Sequence, residues 1–444
     1  MKKIKNIKPV IFATIILLLS SKPVFSQTEL RFDNLDSLLA YAENNSIAVK
    51  NAGQQTLIAK WQKISAQTGL INFRVQTNFS MTDNLELPVT YLPGEAFGGA
   101  PGTFKEVTTG QQYITNLNII PQIDLINPVS WAKLKSAKTG SELTEVNNLL
   151  ARKTLFESVS AAYYNVISLK EQVNITEKTL LTADSLLTNV QNKYDQGIVR
   201  LQDLNDTKVN KLTTQDKLNQ LKKSLEQQYY ALKILCDIPE NENLVISEKP
   251  DYKKEYTEDL QTDNQLKYKA ALLEAEKANA EVKQYRRMQL PVVSLMFYDA
   301  WQQNSNNSFF DDNANWINPK YIGLKISMPF PSISAYTQTK TAEINKTISL
   351  QNAEHTKLQN ELENKQLKLD YEKAYSQLKT AEQIKELKEQ NYTLALNQFN
   401  ADILSSDRLL TAFNDMLISR LNYSNALAAF LHAESVIDIN NKIK

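Results

Sequence analysis

Cysteine is nearly absent from this sequence, and histidine and glycine are scarce. The one thiol, Cys236, excludes an intramolecular disulfide and suits a small buried apolar position. His355 and His432 are the only histidines and lie far apart in the chain, which argues against a histidine-based metal or catalytic cluster and suits ordinary helix-surface positions. No phosphate-cradling glycine loop occurs, and the carboxylates offer no convincing acid/base pair. No catalytic, cofactor-binding or metal residue is therefore expected, and the chain does not read as an enzyme. An excess of either charge is also lacking. Lys and Arg number 50 against 49 Asp and Glu, a net charge of +1, which argues against nucleic acid as a partner. Beyond the N-terminus no apolar run is long enough for a transmembrane helix.

The N-terminus reads as an export signal. Lys2, Lys3, Lys5 and Lys8 form a basic start, Val10 to Leu19 an apolar core, and Val24-Phe25-Ser26 a small-residue site before Gln27. An apolar core of about ten residues is too short to span a bilayer, which takes roughly 20. Loss of residues 1–26 would remove five lysines and no acids, moving the net charge from +1 to −4. An exported chain with no helical anchor is either soluble or crosses an outer membrane as a barrel.

Proline is missing between Pro128 and Pro239 and after Pro331. The first run contains only Gly140 and Gly197, and the second has no glycine. Such runs can hold long, nearly unbroken helices. Helix is expected from about Ser130 to Tyr194, with Leu155, Val159, Tyr163, Val166, Leu169 and Val173 as its stripe, and again from about Leu201 to Cys236. About 60 helical residues span roughly 90 Å. The second run repeats this, with a turn near Asn400–Asp402.

Two segments of period-two alternation precede each run. Ile71, Phe73, Val75, Thr77, Phe79 and Met81 alternate with Asn72, Arg74, Gln76, Asn78 and Ser80, over the length of a tilted membrane strand. Ile71, Phe73, Val75 and Phe79 are expected to face lipid, and Asn72, Arg74, Gln76 and Asn78 to line a watery lumen. A long loop follows over 82–111, then a strand over 112–120 bracketed at its exit by Pro121 and Pro128. In the second half, strands are expected over 291–297 and 322–328, joined by a loop at 304–318. Helices precede each strand pair, at Leu35–Thr68 and Asp263–Arg287.

Corresponding features are offset by roughly 205–220 residues, as in one duplicated unit. The expected organisation is a first repeat over 27–236 (hairpin 70–124), a connector over 237–262 with some ordered structure expected around Leu244–Ile246, and a second repeat over 263–444 (hairpin 291–329). Four strands cannot close a transmembrane barrel, since known ones start at about eight. Unpaired edges in lipid would leave backbone groups unsatisfied, so membrane strands would force oligomerisation. Very long helices likewise need lateral partners in a coiled-coil arrangement. The expected fold is mixed and mostly α: long antiparallel coiled-coil helices plus a four-strand contribution to a shared barrel.

With this layout the sequence resembles the TolC-type outer-membrane efflux protein family over essentially the whole mature chain. The most specific local element is Tyr194-Asp195-Gln196-Gly197-Ile198-Val199-Arg200-Leu201-Gln202-Asp203-Leu204-Asn205-Asp206, which looks like the family's helix–turn–helix tip. The resemblance implies a homotrimer with a twelve-stranded barrel in the outer membrane and a long periplasmic helical tunnel. It implies a passive exit duct for efflux or type I secretion, docked by a periplasmic adaptor and energised by an inner-membrane pump of the RND or ABC kind. Tyr194, Gly197, Ile198, Arg200, Leu201, Asp203 and Asp206 would form the docking tip, with Phe399, Asp402, Asp407 and Arg408 from the second copy. That copy departs from the pattern: Asp402 stands where glycine is usual, and Arg408 and Thr411 fall where acids are frequent. Asp tolerates a positive φ, so the turn is expected to survive. Asp203 and Asp206 share a helix face and could contribute to a cation-attracting ring at a narrow closed end. Substituting Arg200, Asp203 or Arg408 is expected to alter closed-state conductance. The competing reading from a different class is a soluble periplasmic coiled-coil scaffold with a small four-stranded sheet.

Overall fold

The structure, a computed structural model, describes residues 29–248, 262 and 264–443. The expected signal peptide at 1–26, and the connector from 249 to 261, lie outside the described residues. Those described form nine strands and seven α-helices. In chain order these are β1 (Glu29–Phe32), α1 (Leu35–Asn45), α2 (Ile47–Thr68), β2 (Arg74–Asp83), β3 (Val89–Pro93), β4 (Phe104–Thr108), β5 (Tyr113–Ile126), α3 (Pro128–Asp195) and α4 (Leu201–Cys236). Then follow β6 (Asn243–Ile246), α5 (Leu266–Arg287), β7 (Val292–Ser305), β8 (Trp316–Ile317), β9 (Lys320–Ser327), α6 (Ile333–Asn400) and α7 (Ser406–Lys442).

The two proline-free runs are the long helix pairs. α3 and α6 each contain 68 residues, and both start on a capped turn. Asn127 Oδ1 accepts the Ser130 amide (3.3 Å), and Ser332 Oγ accepts the Ala335 amide (3.2 Å), which satisfies amides that have no partner within the helix. Pro128 fits the first helical position, where its missing N–H costs nothing.

Local periodicity reads Leu35–Thr68 as one helix, but the structure breaks it at Ser46. There the ψ of 131° leaves the helical region. The Ile47 amide is taken by Asp237 Oδ2 at 2.6 Å, from 190 residues away, so tertiary capping starts a new helix where the pattern alone would continue the old one.

The chain forms two compact units, each drawing on both halves of the sequence. One comprises the described parts of Met1–Asn51, Ala151–Asn264 and Glu363–Lys444. It contains the parallel pair β1–β6, so the order expected around Leu244–Ile246 is a strand. Its helices bury two apolar clusters. One gathers Tyr371, Leu378, Tyr423, Leu427, Phe430 and Ile437, and the other lies beside the helical turns described below. A fully buried side chain such as Phe430 or Phe413 contributes about 2–3 kcal/mol. His432 is not the free surface residue the sequence suggests: its Nδ1 lies 3.1 Å from the buried Ser160 Oγ, and burial depresses its imidazole pKa.

Cys236 is fully buried in this unit. Burial, reinforced by Asp237, pushes its thiol from 9.0 up to about 12. Thiolate is the reactive form, so alkylation of the native protein near neutral pH should run about a thousandfold slower than that of an unfolded control. Mass spectrometry after timed iodoacetamide exposure measures this; equal rates would contradict the burial.

The second unit comprises Ala52–Leu150 and Gln265–Leu362 and carries the main sheet. Its long strands run in the order β2-β5-β7-β9, all antiparallel, with the short β8 also on β7. β2 and β9 are its edges. Opposed residues share a face, and the register makes the two faces distinct. Arg74, Gln76, Asn78 and Ser80 stand with Gln122, Asn118 and Asn116, and with Ser294, Gln302 and Lys325. Val75, Phe79 and Met81 share the other face with Ile119, Leu117, Trp301, Leu295, Phe297, Leu324, Ile322 and Ile326.

Four strand-level expectations need correction. β5 and β7 run to 14 residues each, longer than their alternation shows. Pro121 lies inside β5 and does not end it; the ladder to β7 skips Ile120 and Pro121, which spares the proline an amide it does not have. The loop at 82–111 holds a second hairpin, β3–β4, whose turns use Gly98 and Gly102 at φ of 77° and 81°, a region open mainly to glycine. Ile71, Asn72 and Phe73 precede β2, with Asn72 at φ 41°. No helix among the described residues is long and apolar enough to cross a membrane.

Candidate functional site

Two helical turns face each other across the first unit. α3 ends with the Ile198 amide donating to the Lys193 carbonyl (2.9 Å) and the Gly197 amide to that of Tyr194 (2.9 Å). α6 ends the same way, with Ile403 donating to Gln398 (2.9 Å) and Asp402 to Phe399 (3.1 Å). Both are Schellman caps, which need a left-handed residue at the turn. Gly197 has φ 74° and Asp402 has φ 59°. The turn therefore survives the loss of glycine in the second copy.

One side chain ties the turns together. Lys193 Nζ donates to the Phe399 carbonyl at 2.8 Å, pairs with the Asp402 carboxylate, and lies 4.4 Å from the centre of the Phe399 ring. Asn189 adds a bond to Asn400 (3.0 Å). Asp402 thus offsets its strained backbone by holding Lys193. Asp402→Gly should leave the melting temperature nearly unchanged. The left-handed Asp costs about 1 kcal/mol, and a partly exposed ion pair returns about as much. Asp402→Ala keeps the strain and loses the pair, so it should melt lower, by about 1–2 kcal/mol; calorimetry of the two variants separates them.

Below the turns, Ala183, Leu186 and Val190 of α3 pack with Leu204 of α4, Tyr392 and Phe399 of α6, and Leu409, Phe413 and Met416 of α7. Ion pairs brace each helix pair: Asp184–Lys211 (2.5 Å) and Glu177–Lys222 (2.7 Å) join α3 to α4, and Asp415–Lys388 and Glu389–Arg420 (both 2.6 Å) join α6 to α7. Exposed pairs of this kind are worth about 0–1 kcal/mol each. Between the pairs, Asn210 donates to Asn414 (2.9 Å). Beside that bond Asp206 lines an open groove of about 520 Å³ between α4 and α7.

The residues expected at the tip divide sharply. Ile198 and Leu201 are exposed, at 53% and 54%. Tyr194 is half-buried against the core. Phe399 is 2% exposed, so it cannot present a docking surface; its aromatic character serves the core and the lysine above it. Asp203 caps α4, accepting the Arg200 amide at 2.9 Å, with the guanidinium at 3.4 Å. Arg200 and Asp203 thus satisfy each other locally. Asp206, Asp407 and Arg408 are exposed, and a hydrogen bond from Ser405 holds the Asp407 carboxyl below the usual carboxylate range. The sequence reading missed Lys193 and Ile403. Ile403, 76% exposed, follows Asp402 as Ile198 follows Gly197, a match visible in the sequence. Lys193 had no such signal.

In the second unit, Arg74 of the expected lumen row reaches the carboxylate of Asp124 (3.4 Å). Asp124 is 5% exposed and also accepts from Ser294 Oγ (2.7 Å), Asn127 Nδ2 (3.0 Å) and Asn72. It sits where β5 bulges before α3. Gln76 and Asn78 stay exposed on the same face, and Phe73, Val75 and Phe79 remain 50–65% exposed, as does Ile71 at 60%. No group of side chains suited to a metal ion occurs among the described residues.

Residues 102–236, which contain β5, α3, the first turn and α4, match the model of the outer membrane efflux protein family. This segment resembles an outer membrane efflux protein domain. The fold over nearly the whole chain agrees with solved structures of outer membrane proteins and channels. VceC, an outer membrane protein of Vibrio cholerae, is 18% identical, with 91% of this chain and 95% of that chain covered and a TM-score of 0.71. The CmeC outer membrane channel of Campylobacter jejuni is 16% identical, with 91% and 85% covered and a TM-score of 0.74. The MtrE outer membrane channel of Neisseria gonorrhoeae, in its open state, is 15% identical, with 93% of each chain covered and a TM-score of 0.65. No curated protein matches the sequence.

Proposed function

We propose that this chain is one subunit of a passive outer-membrane exit duct, built as a duplicated unit and active as a homotrimer. The observation that carries the reading is the sheet. Four long strands present two edges, β2 and β9, that no described residue pairs, and an apolar face that the described residues leave largely open: Val75, Phe79, Ile322, Leu324 and Ile326 are 50–71% exposed. In lipid those edges must be paired. Three copies supply twelve strands, well above the roughly eight that close a membrane barrel, with the row from Arg74 to Asn78 toward the lumen. The efflux protein domain supports the outer membrane of a Gram-negative-type cell as the site. A soluble coiled-coil scaffold would have to cover the apolar face with its own chain, and the described residues leave most of it open.

On this reading the paired turns form the periplasmic mouth. Ile198, Leu201 and Ile403, exposed at its rim, fit the apolar tip of an adaptor, which would in turn couple the duct to an inner-membrane RND or ABC pump. The duct performs no chemistry of its own. Its gate is a separation of the α3/α4 and α6/α7 pairs, and the Lys193 tie is what separation must break.

The test is extraction and reconstitution of the mature protein. The expected result is a membrane-bound species that needs detergent, has the mass of three chains and gives discrete conductance steps in planar bilayers. A mature chain that remains monomeric in buffer without detergent overturns the proposal.

A further inference from the structure

The polar face of the sheet exposes few charges, and those it exposes have one sign. Along β2, β5, β7 and β9 its charged side chains are Arg74, Asp124 and Lys325; the rest are neutral, among them Gln76, Asn78, Asn118 and Tyr298. Asp124 is the only carboxylate on this face among the described strand residues, and it is withdrawn from solvent. Its side chain is 2% exposed, and Ser294, Asn127 and Asn72 donate to it. Arg74 brings its guanidinium to 3.4 Å from that carboxylate, yet its own side chain stays 47% exposed. Lys325 is exposed and forms no ion pair among the described residues. The strand cation Lys320 is spent on the opposite face, where it pairs with Asp299 at 3.5 Å.

Arg74 and Lys325 lie near one level of the sheet. Arg74 stands opposite Gln122, Gln122 opposite Met296, and Met296 opposite Gly323, two residues from Lys325. This is the end next to the helices of the unit, since Arg74 opens β2 soon after α2 and Asp124 shortly precedes α3. The two cations also stand on the two edge strands, β2 and β9. Those edges face each other wherever one copy adjoins the next in a closed barrel. Three copies therefore place three arginines and three lysines around the lumen at its helix end, with their carboxylate neighbours buried.

A ring of fixed cations in a pore draws anions and repels cations, because low-dielectric walls focus the field into the water between them. Guanidinium and ammonium groups both pair with carboxylate, sulfate and phosphate. We propose that Arg74 and Lys325 form a basic ring that makes the barrel favour anionic cargo over cationic cargo of similar size. Beyond the ring the neutral amides let such a solute move on, since tight binding along the whole path would trap it. This rests on the barrel reading above and adds the charge of the cargo to it.

The test records the full mature protein in planar bilayers, parent and Lys325→Cys. Cys236 is buried, so the new thiol is the reactive one. Methanethiosulfonate reagents then attach either an ammonium or a sulfonate at position 325 in a channel that has already folded and inserted. Ferrocyanide, a small multivalent anion, is the probe, and tris(ethylenediamine)cobalt(III) is the cationic control. Ferrocyanide should block the parent more strongly than the cobalt complex does. Its half-blocking concentration should be about tenfold higher with the sulfonate attached and return towards the parent value with the ammonium. Arg74→Cys, treated in the same way, should shift in the same direction and supplies the reading if the position 325 variant does not insert. Discrete conductance steps with a block that neither attachment changes, or a stronger block by the cobalt complex, overturn the ring and leave the duct standing. Absence of conductance in the parent overturns the duct, and the ring with it.

Discussion

On the proposed function, replacing Lys193 with methionine should raise the conductance of the resting duct about 30-fold and leave the proposed trimer intact. The ammonium is 13% exposed and bonds to both the Phe399 carbonyl and Asp402. Charge-assisted bonds of this kind contribute about 1.5–3 kcal/mol. Loss of about 2 kcal/mol from the closed arrangement alone shifts a two-state equilibrium by that factor. Methionine keeps most of the stem over the Phe399 ring, so core packing should change little. Lys193→Arg, which preserves the charge, should recover part of the closed behaviour. Arg200→Ala should have a smaller effect, because its partner Asp203 lies on its own helix end and the pair does not cross between the turns. Single-channel recording in planar bilayers measures all three. A Lys193→Met channel indistinguishable from the parent would remove the tie from the gate.

Asp124→Ala should destabilise the protein by about 3 kcal/mol and reduce the yield of the proposed trimer severalfold. The carboxylate collects donors from Asn72, Asn127 and Ser294 and the charge of Arg74, so its removal strands several polar groups at once. The Ser294 hydroxyl, in a residue 1% exposed, has no water to turn to. Arg74→Ala should cost much less, since that side chain is 47% exposed and solvent already screens it. Urea titration of the detergent-solubilised trimer, with gel mobility as the assembly readout, distinguishes the two. Equal, small losses for both would show that Asp124 organises nothing.

These expectations separate what was legible from what was not. The long helices could be read from the absence of breakers, and the boundary at Leu201–Cys236 was placed to the residue. The four main strands followed from alternation, because an exposed sheet with one apolar face imposes a period of two. Gly197 and Asp402 could be recognised as turn residues, since the left-handed requirement acts on a single residue. Other features escaped. Phe399 was expected at an exposed tip because the resemblance implies a docking tip in that segment, yet the facing helices enclose it. Loop 82–111 looked structureless because glycine and proline obscured the short alternation of β3 and β4.

What the sequence determined by itself is whatever depends on residues within a turn or two of each other: where the long helices and the main strands lie, where each long helix pair turns, and which strand face is apolar. Tertiary structure alone decided the break at Ser46 made by Asp237, the capture of Asp402 by Lys193 and the donors gathered around Asp124. The physical reason is separation along the chain. Ile47 and Asp237 are 190 residues apart, and Lys193 and Asp402 are 209 apart, so no local period encodes their meeting. Only the packing of the helices and the register of the strands brings such groups within hydrogen-bond range.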